Sequence, residues 1–530
     1  MIKKNASVLV WICCFSGILP AQEITNSRIL KQAAVDYKIS FANNYAKAIS
    51  MAKSKGWALT ITSRDGRKGI LMGVDVFGFP KYYITNNNTI AAATTRANQL
   101  WPGGETGLNL SGSSSNMKNK LGIWDGGSVL GTHVELAGRV TQKDVPTSVS
   151  DHATHVSGTM IASGVNPIAK GMAFGAQGMI AYDFNNDISE MFGEAQNLVL
   201  SNHSYSVISG WNYNSTQSRW EFYGRPGDTE DYKFGYYSTD AQSLDSMAYN
   251  APYYLIVKSA GNSHSETGPA VGQPYYRLDA SGNMVSAGNR PAGISSNDAY
   301  DVISWDIGAK NILSVGAVNG LPSGYNRPQD VVMSSFSSWG PTDDGRIKPD
   351  VVADGVNVTS SSSNSNTSYE TLSGTSMSSP NATGSLFLLQ EYYSKLKNGA
   401  FLRSATLKGL AIHTADEAGF SPGPDYQFGW GLLDVEKAAA VITAAVPSNN
   451  AATSPHQLYE NVLANGQTYT LTVVASGKGG LSATICWTDV KGNVDLVNVL
   501  NNRTKNLVND LDIRITKGSG ASLRTYYPWT

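Results

Sequence analysis

The chain has 530 residues, of which only 15% are charged, with a formal net charge of -1. That length can bury a large core in several domains. The near-neutral balance gives no sign of a nucleic acid or an anionic membrane as an electrostatic partner.

Lys3 and Lys4 precede the apolar run "ASVLVWICCFSGILPA", which closes in small residues near Ala21-Gln22. A short basic start, an apolar centre and a small-residue end describe a secretory signal peptide over 1–21. The run is shorter than the roughly 20 apolar residues of a membrane anchor. A lipoprotein signal at Cys13 or Cys14 is the less favoured alternative, because the preceding Trp11 and Ile12 are bulky. Of three cysteines, the exported chain would keep Cys486 alone, so neither an internal disulfide nor a cysteine-rich zinc site is available to it.

Residues 22–90 read as a small α+β unit. "NYAKAISMAKSKGWALTIT" predicts a helix leading into a strand, and "KGILMGVDVFGFPKYYIT" continues as β structure. The polar "NNNTIAAATTRANQL" that follows is a linker or a processing site. From 91 to 445, short apolar strands such as "KLGIWDGG", "NLVLSNHSYS" and "YYLIVKSAGN" alternate with helical segments. This predicts an α/β fold with a parallel sheet covered on both faces. Ligands of such sheets collect at the carboxyl ends of the strands. Two aromatic insertions, following Ser201 and Asn262, are either cleft walls or surface loops. Over 450–530, "QTYTLTVVAS" and "LSATICWTDV" alternate as half-buried strands do, and we expect a C-terminal β-sandwich.

Four residues at strand ends or helix starts form one chemical set. Asp125 follows "LGIW", His152 opens "HATHVSGTM", Asn262 ends "YLIVKSAGN" and Ser376 stands in "TLSGTSMSSP". A serine hydroxyl becomes nucleophilic when an imidazole takes its proton, and a buried carboxylate must hold that imidazole in one tautomer. An amide side chain and a backbone N–H can then stabilise the oxyanion. A helix start at Ser376 would bring free N–H groups to the same place, with Pro380 expected in the first turn. His155 is read as a packing residue, since a zincin glutamate is absent. His133 is read as a loop residue, and Asp151 as pointing away from its neighbour His152.

The order Asp, His, Ser, with "HATHVSGT", "SAGN" and "SGTSMSSP", resembles the subtilase family of serine peptidases over about 115–445. The resemblance implies a secreted serine endopeptidase in which Asp125, His152 and Ser376 form the triad and Asn262 the oxyanion hole. It also implies extended substrate pairing beside Ser204 in "SNHSYS" and beside Ser259, Ala260 and Gly261. Departures are Gly126, where Ser or Thr is usual, and Ala153 and Ser206, where glycine is common. None removes a reacting group. The chemistry needs no cofactor, although the family also brings structural calcium into question. Asp343-Asp344 and Asp510/Asp512 are the acidic clusters to consider, with solvated charge the simpler reading. We expect protein or peptide substrates, a monomer and no membrane span. Two rivals are an inactive subtilase fold that only binds peptides, and a carbohydrate-binding protein using the aromatic insertions, for which no paired-carboxylate signature is found.

Overall fold

The computed structural model describes residues 25–62, 68–84, 90–298, 300–446, 454–474, 477, 479–495 and 499–528. The proposed signal peptide lies outside the described residues.

A seven-stranded sheet forms the centre of the molecule. Across it run Val351–Asp354, Leu313–Val318, Leu255–Ser259, Leu200–His203, Leu121–Asp125, Met179–Asp183 and Val140–Gln142. All neighbours are parallel. The central strands are buried along their whole length, which is why they read as continuous apolar runs. Strand residues alternate between two cores. Leu121, Ile123 and Val257 face the helices Asp151–Ile161, Thr375–Leu396 and Val435–Ala445. Trp124 and Ile256 face Asp187–Glu194 and Thr239–Asn250.

The N-terminal unit has the expected α+β character. Helix Ser27–Lys55 starts with Asn26 accepting the Ile29 N–H and ends on left-handed Gly56, a common cap pair. Strands Thr60–Thr62, Lys68–Val74 and Pro80–Ile84 continue into the peptidase region, where Pro80–Ile84 pairs antiparallel with Ser206–Val207. Ala48, Trp57, Leu71 and Tyr82 share one buried cluster with Ile208, Tyr223 and Leu278.

The aromatic insertions build a second sheet, in the order Met284–Asn289, Pro274–Leu278, Arg219–Phe222, Trp211–Asn214. Trp211 is 1% exposed, packs on Phe222 and Tyr275 and carries the Arg290 guanidinium 4.7 Å from its ring. These aromatics are a small core rather than an open sugar platform.

Beyond 450 the described residues include one strand pair, and the C-terminal sandwich stays an expectation. Segments 467–474 and 481–490 carry no strand ladder, and only Ile515–Lys517 pairs with Arg524–Tyr526. Leu471, Val473, Leu481 and Ile485 are exposed.

Candidate active site

The strand Leu121–Asp125 ends in Asp125, fully buried at the carboxyl edge of the sheet. The helix Asp151–Ile161 starts beside that edge, with the Ser150 side chain accepting the Ala153 N–H. His152 is the second residue of this helix, and its Nδ1 lies 2.7 Å from Asp125 Oδ1. The same oxygen accepts the Gly126 N–H at 2.8 Å. A carboxylate so held orients the imidazole ring and favours the tautomer with its proton on Nδ1. At Gly126 a Cβ would stand 2.9 Å from the Phe184 ring, so a side chain there would require that ring to shift.

The remaining acidic and imidazole candidates are engaged elsewhere. Asp151 Oδ1 accepts the Ser363 N–H and the Ser362 and Ser363 hydroxyls. His155 is fully buried, and burial first, then the neighbouring His152, pushes its pKa down to about 3. It is therefore neutral. His133 is also buried, with Nε2 at 2.8 Å from the Ser368 carbonyl.

Ser376 is the second residue of helix Thr375–Leu396, just past the Gly374 cap, and is 2% exposed. Its N–H belongs to the first turn, whose donors have no acceptor within the helix. Pro380 lies beyond that turn, at the sixth position, which corrects the sequence-based expectation. Its missing N–H would have served the carbonyl four residues back, that of Ser376. The Ser204 hydroxyl donates to that carbonyl instead, at 2.7 Å, and Ser376 Oγ donates to the Ser204 carbonyl at 3.0 Å. Ser204 is in turn fixed from below. Ser379 and Thr383 donate to Asn202 Oδ1, and Asn202 Nδ2 donates to Ser204 Oγ.

Asn262 follows the neighbouring strand Leu255–Ser259. Thr375 donates to its Oδ1 twice, from N–H at 2.8 Å and from Oγ1 at 3.0 Å. The Gly261 N–H donates to Thr375 Oγ1 at 3.1 Å. These bonds commit the amide oxygen and leave Nδ2 as its available donor. Thr375 was not singled out from the sequence. Its hydroxyl next to Ser376 was the only local signal, since the partner lies 113 residues away. Gly261 has φ +94°, a left-handed conformation that other residues rarely adopt. Ser259 and Ala260 are buried beside it.

The family model described as "Subtilase family" matches residues 104–431. The chain belongs to the subtilase family. This subtilase is 36% identical over 151 residues to the C5a peptidase of Streptococcus pyogenes, an alignment covering 26% of this chain and 12% of that protein. It is 29% identical over 238 residues to the serine protease/ABC transporter B family protein tagB of Dictyostelium discoideum, covering 34% and 12%. The chain thus spans about an eighth of the length of these curated relatives. Among solved structures, the Clostridium perfringens CspB protease matches with TM-score 0.47 and 16% identity, over 66% of this chain and 98% of that one. Family membership supports a serine-type endopeptidase with no chemical cofactor. Among the described residues, no helix of this subtilase is long and apolar enough to cross a membrane.

Proposed function

We propose that this subtilase is a secreted endopeptidase that cuts peptide bonds through an acyl-enzyme on Ser376. The observation that carries the reading is the 2.7 Å contact of His152 Nδ1 with buried Asp125 Oδ1, at the same sheet edge as a serine that opens a helix. In this mechanism His152 Nε2 takes the Ser376 proton as Oγ attacks the carbonyl. The imidazolium, stabilised by Asp125, then protonates the leaving amine. Asn262 Nδ2 and the Ser376 N–H stabilise the tetrahedral oxyanion. Water repeats the sequence to release the acid.

Substrate binds as an added strand beside Ser204–Ser206 and Ser259–Gly261. The antiparallel pairing of Tyr83 with Val207 and Ile84 with Ser206 supports a related role for the N-terminal unit. On this reading, 22–90 is a pro-segment that covers the substrate edge until it is removed. Export follows from the basic, apolar, small-residue order of 1–21.

The test compares wild type with Ser376→Ala on denatured casein. Removing the nucleophile is expected to cost on the order of 10⁶-fold in turnover. Wild type that never cuts, even after the N-terminal unit is removed, would replace catalysis with peptide binding. Secreted, active protein whose intact mass still begins at Gln22 would overturn the pro-segment.

A further inference from the structure

The N-terminal unit places a lysine, Lys81, in a pocket of the peptidase region. Strand Pro80–Ile84 runs antiparallel to Ser206–Val207, with Ile84 opposite Ser206 and Tyr83 opposite Val207. The Ile208 N–H extends the pairing by donating to the Tyr82 carbonyl at 3.0 Å. Lys81 is the next residue along. Its Nζ donates to Asp240 Oδ2 and stands 5.5 Å from the centre of the Trp305 ring.

The pocket is built before any cation enters it. Asp240 lies in the first turn of helix Thr239–Asn250, and Trp305 opens the short turn Trp305–Gly308, so both stay with the enzyme when the N-terminal unit is removed. Trp305 Nε1 donates to Asp240 Oδ2 at 2.6 Å, and its ring packs on Tyr236 with centroids 5.7 Å apart. Trp305 has φ +53°, an uncommon conformation for a bulky residue that persists only where its surroundings enforce it. The preceding residue joins the pocket to the paired edge, since the Ser304 hydroxyl donates to the Val207 carbonyl at 3.2 Å.

Burial opposes both charges, yet the pairing prevails: Lys81 is held above the usual lysine range and Asp240 below the usual carboxylate range. Asp187 and Asp306 also act on Lys81. Withdrawing Lys81 leaves these three carboxylates with Lys258, which is already paired to Asp306 at 3.0 Å. Such a pocket calls for a new cation. A carboxylate beside an indole face suits the ammonium of lysine or the flat guanidinium of arginine. A cavity of about 440 Å³, bordered by Lys81, Thr239, Asp240 and Trp305, leaves room for the wider group.

We propose that Asp240 and Trp305 form a substrate subsite for a lysine or arginine side chain, three residues ahead of the one that lies opposite Ser206. The inference rests on the reading above, in which 22–90 is removed and substrate takes over its edge. A substrate laid antiparallel to Ser204–Val207 runs on toward Ser204, whose hydroxyl donates to the Ser376 carbonyl. The basic residue thus falls on the amino side of the bond that is cut, and Lys81 marks the class of substrate: extended segments with a cation upstream of the cleavage point.

The test assays processed wild type, freed of the N-terminal unit, on fluorescence-quenched peptides of sequence 79–91. They carry the native Lys81 or the changes Lys81→Arg, Lys81→norleucine and Lys81→Glu, and a shorter peptide starts at Tyr82. The Lys and Arg peptides are expected to exceed norleucine in kcat/KM by on the order of ten- to a hundredfold, as a charge-assisted contact does, with Glu the poorest. In Asp240→Asn the advantage of Lys over norleucine should vanish. Equal rates on the four long peptides would overturn the subsite while leaving the peptidase reading intact, and so would a lysine preference that Asp240→Asn leaves unchanged. If that variant does not fold, the series on wild type decides, since it requires no variant. Failure to cut any peptide, the short one included, together with untouched casein, would sink the peptidase reading and the subsite with it.

Discussion

The surroundings of Ser376 and the segment 467–490 are both rich in short strand-forming sequence, yet they end in opposite states. Asn202, Ser204, Asn262, Thr375, Ser379 and Thr383 are all buried and tied across three different elements. Among the described residues of 467–485, the apolar side chains face water, with Val474 87% exposed. Alternation states which face a strand would bury, but not whether anything covers it. The peptidase region supplies both layers of helices itself, and the hydrogen-bond chain from Asn202 to Ser376 can then be paid for by the core around it.

The contrast predicts a wide range of mutational effects. Asp125→Asn should be the most severe, because the amide stabilises the wrong imidazole tautomer. A fall in kcat of about 10⁴-fold is expected, read on a peptide substrate with the fold checked by circular dichroism. A loss under tenfold would remove Asp125 from the role given to it.

Asp350→Asn attacks the scaffold rather than the chemistry. Asp350 pairs with Lys348 at 2.7 Å and Lys408 at 2.9 Å and accepts the Ser314 N–H. Burial alone would raise its pKa, but the two ammonium groups bring it down to about 2. Removing the charge leaves two buried lysines without their shared carboxylate and should cost about 3–5 kcal/mol in denaturant unfolding. Because the folded value lies below the unfolded one of about 4, the wild-type contribution is present above pH ~4. It is lost as the pH falls toward 2. A variant as stable as wild type at pH 7 would show that the cluster does not hold the sheet to its helices.

Asn262→Ala should lower kcat by about 10²–10³-fold with little change in KM. An equal rise in KM would mean that the amide binds ground-state substrate instead. At the other end of the range, Val474→Lys should shift stability by less than about 0.5 kcal/mol. A large loss would reveal that 467–490 is covered after all.

Much of the site was legible because parallel strands deliver residues to one edge. Asp125 and Asn262 could be placed from the apolar runs before them, and Ser376 and His152 from the helices they open. Thr375 could not, since its role depends on an asparagine brought by another strand. Pro380 was misplaced within the helix for a related reason: the acceptor it frees is served by Ser204, from a different element.

The most direct measurement is to label wild type with a fluorophosphonate, after removal of the N-terminal unit, and locate the adduct by tandem mass spectrometry. A single adduct on Ser376, much slower to form in Asp125→Asn, is the predicted result. An adduct on another serine, or none on active protein, would contradict the assignment of Ser376 as the nucleophile.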